Sequence, residues 1–166
     1  MKLSDGVEWG IHCAMLLGSL QPGTTLSGKA LAEFHGVPES YLLKHLKALV
    51  AAGLLESVTG PRGGYRLAKL PSEISLLDIV EAIDGTQPAF RCTEIRQRGP
   101  CALEPSAYPR PCGINAAMLR AEDAYRAALR QETLAKVTDE FVARADPRLF
   151  ALGGAWIEQN VRRPKQ

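Results

Sequence analysis

The sequence predicts a mainly α-helical protein, a winged helix-turn-helix followed by a long C-terminal helix suited to dimerisation. Three observations predict this fold class. Two short helical segments flank a glycine turn and precede a glycine-rich loop between two strand-like runs. A compact apolar helix follows and completes the first core. Beyond a proline-rich stretch, a long amphipathic segment presents an apolar face that requires a partner.

The first two helices are predicted at residues 4–20 and 27–35. Ser4 is placed to cap the first helix, whose apolar stripe ends before the Gln-Pro-Gly turn at residues 21–23. Gly36 is placed to end the second helix in a left-handed conformation. The short turn that follows it is typical of a helix-turn-helix pair.

A third helix and a β-hairpin come next. The helix is predicted at residues 38–52, opened by its proline and ended by Gly53. It buries one apolar face, formed by Leu42, Leu46, Leu49 and Val50. Two strands are predicted at residues 54–58 and 65–68, joined by the glycine-rich loop 59–64. The order of three helices and a hairpin indicates a winged helix.

The second half of the chain begins with a short helix capped by Ser75 and closed by the Asp-Gly pair at residues 84–85. Five prolines then interrupt any period, and a loop of this length is usually functional. A long amphipathic helix is predicted at residues 114–131, and Thr133 starts another helical segment. The predicted parts are a winged domain at 1–85, a loop at 86–113, dimerisation helices at 114–146 and a C-terminal tail at 147–166.

Composition and charge are those of an ordinary globular protein. Of 166 residues, 46% are hydrophobic and 23% are charged, and 20 Lys plus Arg against 18 Asp plus Glu leave a net charge of +2. Any basic patch that binds a polyanion therefore has to be local. Asp5, Glu8 and His12 interrupt the first apolar stretch, which argues against a signal peptide or a membrane span and predicts a cytoplasmic protein.

The winged helix predicts contacts with double-stranded DNA. The second helix of a helix-turn-helix pair enters the major groove, so the helix at 38–52 is the predicted reading helix. Its candidate contacts are Ser40, Tyr41, Lys44, His45 and Lys47. At the hairpin tip, Arg62 lies between glycines that let the backbone approach DNA closely. The candidate wing contacts are Arg62, Gly63, Gly64 and Tyr65.

The cysteines point to metal or redox chemistry. Three of the four, Cys92, Cys101 and Cys112, lie in the predicted loop, and the chain carries no export signal that would favour disulfides. Cys13 lies beside the apolar stripe of the first helix and is predicted to be a core residue. Glu8 and His12 are four residues apart, so they share a helix face and are able to bind one metal centre together.

Several motifs resemble the Rrf2 family of winged-helix regulators, the class of IscR and NsrR. They are GPRGGYRLA at residues 60–68, LLDIVEAI at 76–83 and a cysteine loop ahead of a long helix. The resemblance covers about residues 1–140. It implies a homodimer with crossed long helices, in which the loop of one subunit and the first helix of the other bind an iron-sulfur cluster. The spacings Cys-x8-Cys and Cys-x10-Cys depart from the family's more closely spaced cysteines.

Within the family, two segments are similar to the redox-sensing RsrR-type branch. They are GVEWGIH at residues 6–12 and FRCTEIRQRGP at 90–100, together with Cys112. The resemblance implies a 2Fe-2S cluster held by Cys92 and Cys112 of one subunit with Glu8 and His12 of the other. Imidazole and carboxylate in place of two thiolates should raise the reduction potential, and a histidine ligand couples electron gain to proton gain. The expected function is a dimeric repressor that senses redox state.

Alternatives remain open from the sequence alone. Cys101 as a third ligand would give a 4Fe-4S centre that senses nitric oxide or iron-sulfur status. A zinc site is another option, although the paired Cys-x2-Cys of zinc ribbons is absent. A cluster-free regulator could respond to a thiol state or small molecule through Cys101. An enzyme is not expected, since no glycine-rich oxyanion loop accompanies a cysteine and a histidine.

Overall fold

The computed structural model describes residues 2–163 and confirms the predicted fold class, with a small antiparallel sheet among its helices. The helices of the described chain are α1 Asp5–Gly18, α2 Gly28–His35, α3 Glu39–Ala51, α4 Leu76–Asp84, α5 Gly113–Gln131, α6 Leu134–Arg144 and α7 Pro147–Asn160. The strands are β1 Leu55–Val58 and β2 Gly64–Leu67. Residues 1 and 164–166, which the predicted parts include, lie outside the described residues.

The first four helices enclose one hydrophobic core. α1 packs against α3 and α4, and the apolar face predicted for the third helix is buried there through Leu42, Leu46 and Leu49. Cys13 is fully buried in the same core, as predicted, and burial raises the pKa of its thiol to about 12. Each buried leucine contributes about 1.5–3 kcal/mol of transfer free energy.

Local capping explains where most helices begin and end. The Ser27 hydroxyl accepts from the Ala30 amide at 3.1 Å, and Gly36 ends α2 with φ of 65°. Ser75 and Asp78 form a reciprocal capping box at α4. Ser4 differs from the prediction: its hydroxyl donates to the Asp84 carboxylate at 2.5 Å, which ties the start of α1 to the end of α4.

The wing is a two-stranded antiparallel hairpin, and Leu26 pairs with the outer edge of β2. Leu55 pairs with Leu67 and Val58 with Gly64, so the loop predicted at residues 59–64 connects the strands. Backbone hydrogen bonds of 2.8 and 3.2 Å join Tyr65 to Leu26, which precedes α2. The wing is therefore joined through β2, close to its loop, to Leu26 ahead of α2.

The long helix α5 buries no residue within one chain. Its predicted apolar face stays exposed or half-buried, with Ile114 67% and Met118 44% exposed. α6 returns to the winged domain, where Leu134 is fully buried and its amide donates to the Ile74 carbonyl at 2.8 Å. The second half of α5 and the start of α6 therefore lie against the winged domain of the same chain.

The segment predicted as a tail contains a helix. The carboxylate of Asp146 accepts from the Arg148 amide at 2.9 Å and starts α7. Trp156 then packs against Phe34 of α2, with ring centroids 4.9 Å apart. Gly153 and Gly154 lower the intrinsic helix propensity of α7. Packing against α2 therefore provides part of the stability of this helix. Among residues 2–163, no helix is both long and apolar enough to cross a membrane.

Candidate functional site

The exposed face of α3 carries most of the predicted reading residues. Ser40, Lys44 and Lys47 are exposed on the side opposite the buried leucines, and Tyr41 is 66% exposed beside them. Ser40 and Tyr41 lie in the first turn of α3, next to its free backbone amides, and Lys44 and Lys47 add two positive charges further along the helix. This face offers a positive, hydrogen-bonding surface of the kind that contacts phosphates and base edges.

His45 lies half-buried on a different side of α3. Its ring packs over Gly6 of α1, and its centroid lies 6.0 Å from that of Trp9 in an edge-on arrangement. A Cβ on residue 6 would overlap the imidazole. His45 therefore takes part in the contact between α1 and α3, and its contact with DNA stays a prediction.

At the wing, Arg62 is the exposed predicted contact. Its carbonyl accepts from the Thr25 hydroxyl at 3.3 Å, while its side chain is exposed at the hairpin tip. Tyr65 instead lies half-buried in β2, where its backbone pairs with Leu26 and burial raises the pKa of its phenol. Of these two residues, Arg62 is the exposed candidate contact.

Gly63 and Gly64, predicted as wing contacts, set the geometry of the hairpin. A Cβ on Gly63 would collide with the Val58 carbonyl oxygen, and one on Gly64 would lie 2.5 Å from the Leu26 carbonyl oxygen. Both positions need glycine because backbone atoms approach too closely for a side chain. They shape the loop that presents Arg62.

The structure brings Cys92 and Cys112 together. Cys112 precedes the first turn of α5, where the amides of Asn115 and Ile114 lower the pKa of its thiol. Burial acts in the opposite direction, whereas hydrogen bonding to Cys92 and the charge of Arg96 lower this pKa further. Cys92 also accepts from the Glu94 amide at 3.4 Å. Such an environment stabilises thiolate, the form that binds metal and attacks oxidants.

Arg96 organises the loop around this thiol pair. Its guanidinium donates to the Glu94 carboxylate at 2.6 Å and to the Arg110 carbonyl at 2.7 Å. It also stacks 5.2 Å from the centre of the Tyr108 ring, whose hydroxyl donates to the Arg96 carbonyl at 2.9 Å. Glu94 adopts a left-handed φ of 50°. Side-chain contacts therefore hold a segment whose regular structure is limited to two short 3-10 turns, Ile95–Gln97 and Pro105–Ala107.

Glu8 and His12 lie together on the exposed side of α1. They line a surface pocket of about 360 Å³ with Leu3, Ser4, Asp5, Val7 and Ile11. A neighbouring pocket of about 220 Å³ adds His35, whose ring centroid is 5.8 Å from that of His12. Packing of α2 on α1 places His35 beside His12, a contact that spacing along the chain does not reveal.

His35 is a neutral histidine beside this pair. Burial lowers its pKa to about 4, and the charge of His12 acts in the same direction. Among the described residues, its buried Nε2 atom has no hydrogen-bond partner. It adds an uncharged acceptor or donor next to His12.

The four predicted ligands form two separate pairs within one chain. Among residues 2–163, no three His, Cys, Asp or Glu side chains come close enough to hold one metal ion. Cys101 is exposed and does not complete such a group with the paired thiols. The donors fit a cluster as two halves: thiolates at the start of α5, and an imidazole with a carboxylate on α1.

Comparison with known proteins identifies the family. The Rrf2 model, described as an iron-dependent transcriptional regulator, matches residues 3–140. Protein aau3 of Rhizobium meliloti (strain 1021) is 37% identical, with 98% of this chain and 96% of the relative covered.

Two solved structures are also similar. The IscR structure from T. potens has a TM-score of 0.63 and 25% identity, covering 90% of this chain and 96% of that one. The oxidized form of Staphylococcus aureus CymR has a TM-score of 0.60 and 27% identity, covering 83% and 96%. The chain therefore belongs to the Rrf2 family of DNA-binding transcriptional regulators and is not an enzyme.

Proposed function

We propose that this protein is a dimeric repressor whose operator affinity depends on the redox state of a 2Fe-2S cluster held between its subunits. Cys92 and Cys112 would be the ligands from one subunit. Glu8 and His12 of the partner subunit would complete the site. The family description as iron-dependent supports an iron centre in this chain.

The separation of the ligands into two ready pairs carries the proposal. The thiols of Cys92 and Cys112 are paired at the start of α5, while Glu8 and His12 share one face of α1. No group of three candidate ligands forms within the described part of one chain. Two incomplete donor pairs on different elements are what a site shared across a two-fold axis requires.

The exposed side of α5 supports the dimer. Its apolar positions begin with Ile114 and Met118, close to Cys112, and none of its residues is buried in one chain. An apolar helix face of this length is normally covered by a partner, and Rrf2 regulators are typically dimeric. Pairing through α5 would bring the thiol pair of one subunit to the interface.

The chain's own residues would prepare the site and hold protons there. When bound, the cluster supplies a one-electron redox couple. Backbone amides at the start of α5 lower the pKa of Cys112 and so favour the thiolate that would bind iron. His12 would bind through one ring nitrogen and is able to hold a proton on the other, next to the neutral His35.

Contacts of α1 connect this site to DNA. The same helix carries Glu8 and His12 on its exposed side and packs through Gly6 and Trp9 against His45 of α3. A shift of α1 after an electron is gained or lost would therefore move α3 and alter the spacing of the two reading helices. Two winged domains related by a dyad would bind a pseudo-palindrome, so altered spacing lowers affinity.

Metal analysis of anaerobically isolated protein tests the proposal. We expect visible absorption and a ratio of two irons and two sulfides per subunit. Cys92→Ser, Cys112→Ser and His12→Ala should each lose this absorption, whereas Cys101→Ser should retain it. Four irons per subunit together with loss in Cys101→Ser would instead establish the 4Fe-4S sensor. Equal operator affinity of the oxidised, reduced and cluster-free forms would overturn the switch.

A cluster-free thiol regulator is the second candidate. The lowered pKa of Cys112 and its contact with Cys92 favour oxidation of this pair, and Cys101 is exposed. The similarity to CymR, solved in an oxidized form, adds support. A colourless, iron-free protein with full DNA binding that is lost on oxidation and regained on thiol reduction would favour this candidate.

A further inference from the structure

We propose that residues 160–163 form a clamp that holds the wing in the conformation presented to DNA, with Arg162 as its positioning residue. The inference rests on the proposed contact between the wing and DNA. It does not depend on the cluster. It concerns a segment that lies beyond residue 140, where the match to the family ends.

Backbone pairing brings this segment to the edge of the wing, close to its loop. Thr25 and Arg162 exchange two backbone hydrogen bonds of 3.0 and 2.9 Å. The next residue, Leu26, exchanges two with Tyr65 of β2. The C-terminal segment is thus the outer member of a short ladder that ends in the wing hairpin.

The side chain of Arg162 reaches the loop itself. Its guanidinium donates to the Gly63 carbonyl at 2.5 Å, one residue after Arg62. Thr25, which pairs with Arg162, also donates through its hydroxyl to the Arg62 carbonyl. Two consecutive carbonyls of the hairpin tip are therefore held from the same side, and the bond from a charged donor is the stronger kind.

α7 anchors the clamp to α2. Trp156 packs against Phe34, and the side chains of Ile157 and Val161 lie against the hydrophobic core. The Asn160 amide group donates to the Trp156 carbonyl at 2.9 Å and rigidifies the end of the helix. A fixed wing loses less conformational freedom when it binds DNA than a free hairpin does, so the clamp should raise affinity.

Arg163 provides a matched control. It carries the same charge one residue further along, but its guanidinium pairs with Glu158 of α7 at 2.6 Å instead of the wing. Replacing either arginine by alanine removes one positive charge from the same surface. Only the Arg162 variant removes the hydrogen bond to the wing.

The test compares Arg162→Ala with Arg163→Ala on a duplex selected by the wild-type protein from a randomised library. We expect about tenfold weaker binding for Arg162→Ala, and a change within about twofold for Arg163→Ala. Hydrogen exchange should accelerate at wing residues 59–65 in Arg162→Ala alone. Arg162→Lys, which keeps a donor, should show an intermediate effect and guards against general misfolding.

Double substitution separates positioning from direct DNA contact. If Arg162 acts through the wing, the double variant Arg62→Ala, Arg162→Ala should lose less binding free energy than the sum of the losses in the two single variants. Additive losses of binding free energy, together with unchanged hydrogen exchange at residues 59–65, would overturn the clamp. If Arg62→Ala binds DNA as tightly as the wild type, the proposed wing contact is overturned. The hydrogen-exchange comparison of Arg162→Ala with Arg163→Ala tests the clamp independently of that contact.

Discussion

His45 packs directly over Gly6, so the imidazole of α3 occupies the space that a side chain on α1 would need. This contact gives His45 a packing role within the chain. It also links the helix that carries Glu8 and His12 to the helix that carries the reading lysines. Substitutions on the two sides of α3 should therefore have different effects.

Lys44→Ala and His45→Ala should separate DNA contact from packing. Lys44→Ala should weaken binding and reduce the magnitude of the slope of log K against log salt by about 1.8, because each subunit of the proposed dimer loses one phosphate contact. His45→Ala should leave that slope unchanged and lower the free energy of unfolding by about 1–2 kcal/mol. Salt titrations and urea unfolding measure the two effects. Equal salt slopes for wild type and Lys44→Ala would contradict the interface.

Gly63→Ala should distort the wing. A Cβ there meets the Val58 carbonyl oxygen, which cannot move without breaking the hairpin, so we expect about 1–3 kcal/mol of destabilisation and weaker DNA binding. Gly154→Ala is the control, because no atom lies within 4 Å of the added Cβ and alanine favours the helix. Thermal unfolding and binding titrations of both variants check this. Matching behaviour of the two would refute the steric argument.

Mixed dimers should reveal whether the cluster site is shared. A heterodimer of Cys92→Ser and His12→Ala subunits keeps one site intact only if each site draws ligands from both chains. We expect about half of the wild-type iron in that heterodimer and none in either mutant homodimer. Differently tagged subunits, co-expressed and purified through both tags without oxygen, supply the sample. An iron-free heterodimer would point to ligands from a single chain.

The cluster-free protein should show selective thiol reactivity. The pKa of Cys112 lies below its ordinary value of 9.0, so its alkylation by iodoacetamide should reach half-maximal rate at a lower pH than that of an ordinary thiol. The stabilisation from this ionised thiol is present above pH 9.0 and is lost as pH falls through the lowered pKa. Cys13, with a pKa raised to about 12, should react only after unfolding. Mass spectrometry of alkylated peptides measures each site.

Arg126 and Glu81 should couple the long helix to the winged domain. Arg126 of α5 forms an ion pair with Glu81 of α4, and both side chains are largely shielded from solvent. A double-mutant cycle of Arg126→Ala and Glu81→Ala should give a coupling free energy of about 1 kcal/mol, measured by urea unfolding at one protein concentration. The exposed Arg120 offers a control, for which the cycle with Glu81 should be additive. Additivity in both cycles would show that the pair contributes nothing.

Local signals in the sequence accounted for most of the fold. Capping residues such as Ser27 and Ser75, and glycines such as Gly36, determine helix ends through contacts within a few residues, so these ends were predicted nearly to the residue. The wing followed from the glycine-rich loop between two short apolar runs. The four candidate ligands and the reading face also came from the sequence and its family resemblance, and their roles stay predictions.

Local sequence signals did not predict how distant segments pack against one another. The sequence alone determined the winged helix, the long unpartnered helix and the pairing of Glu8 with His12, because each depends on periodicity or spacing within one segment. Only the tertiary structure decided that His45 and Tyr65 turn inward, that His35 lies beside His12, and that Arg162 reaches the wing. These outcomes depend on which faces of separate helices and strands pack together, and that packing is determined by the fold of the whole chain.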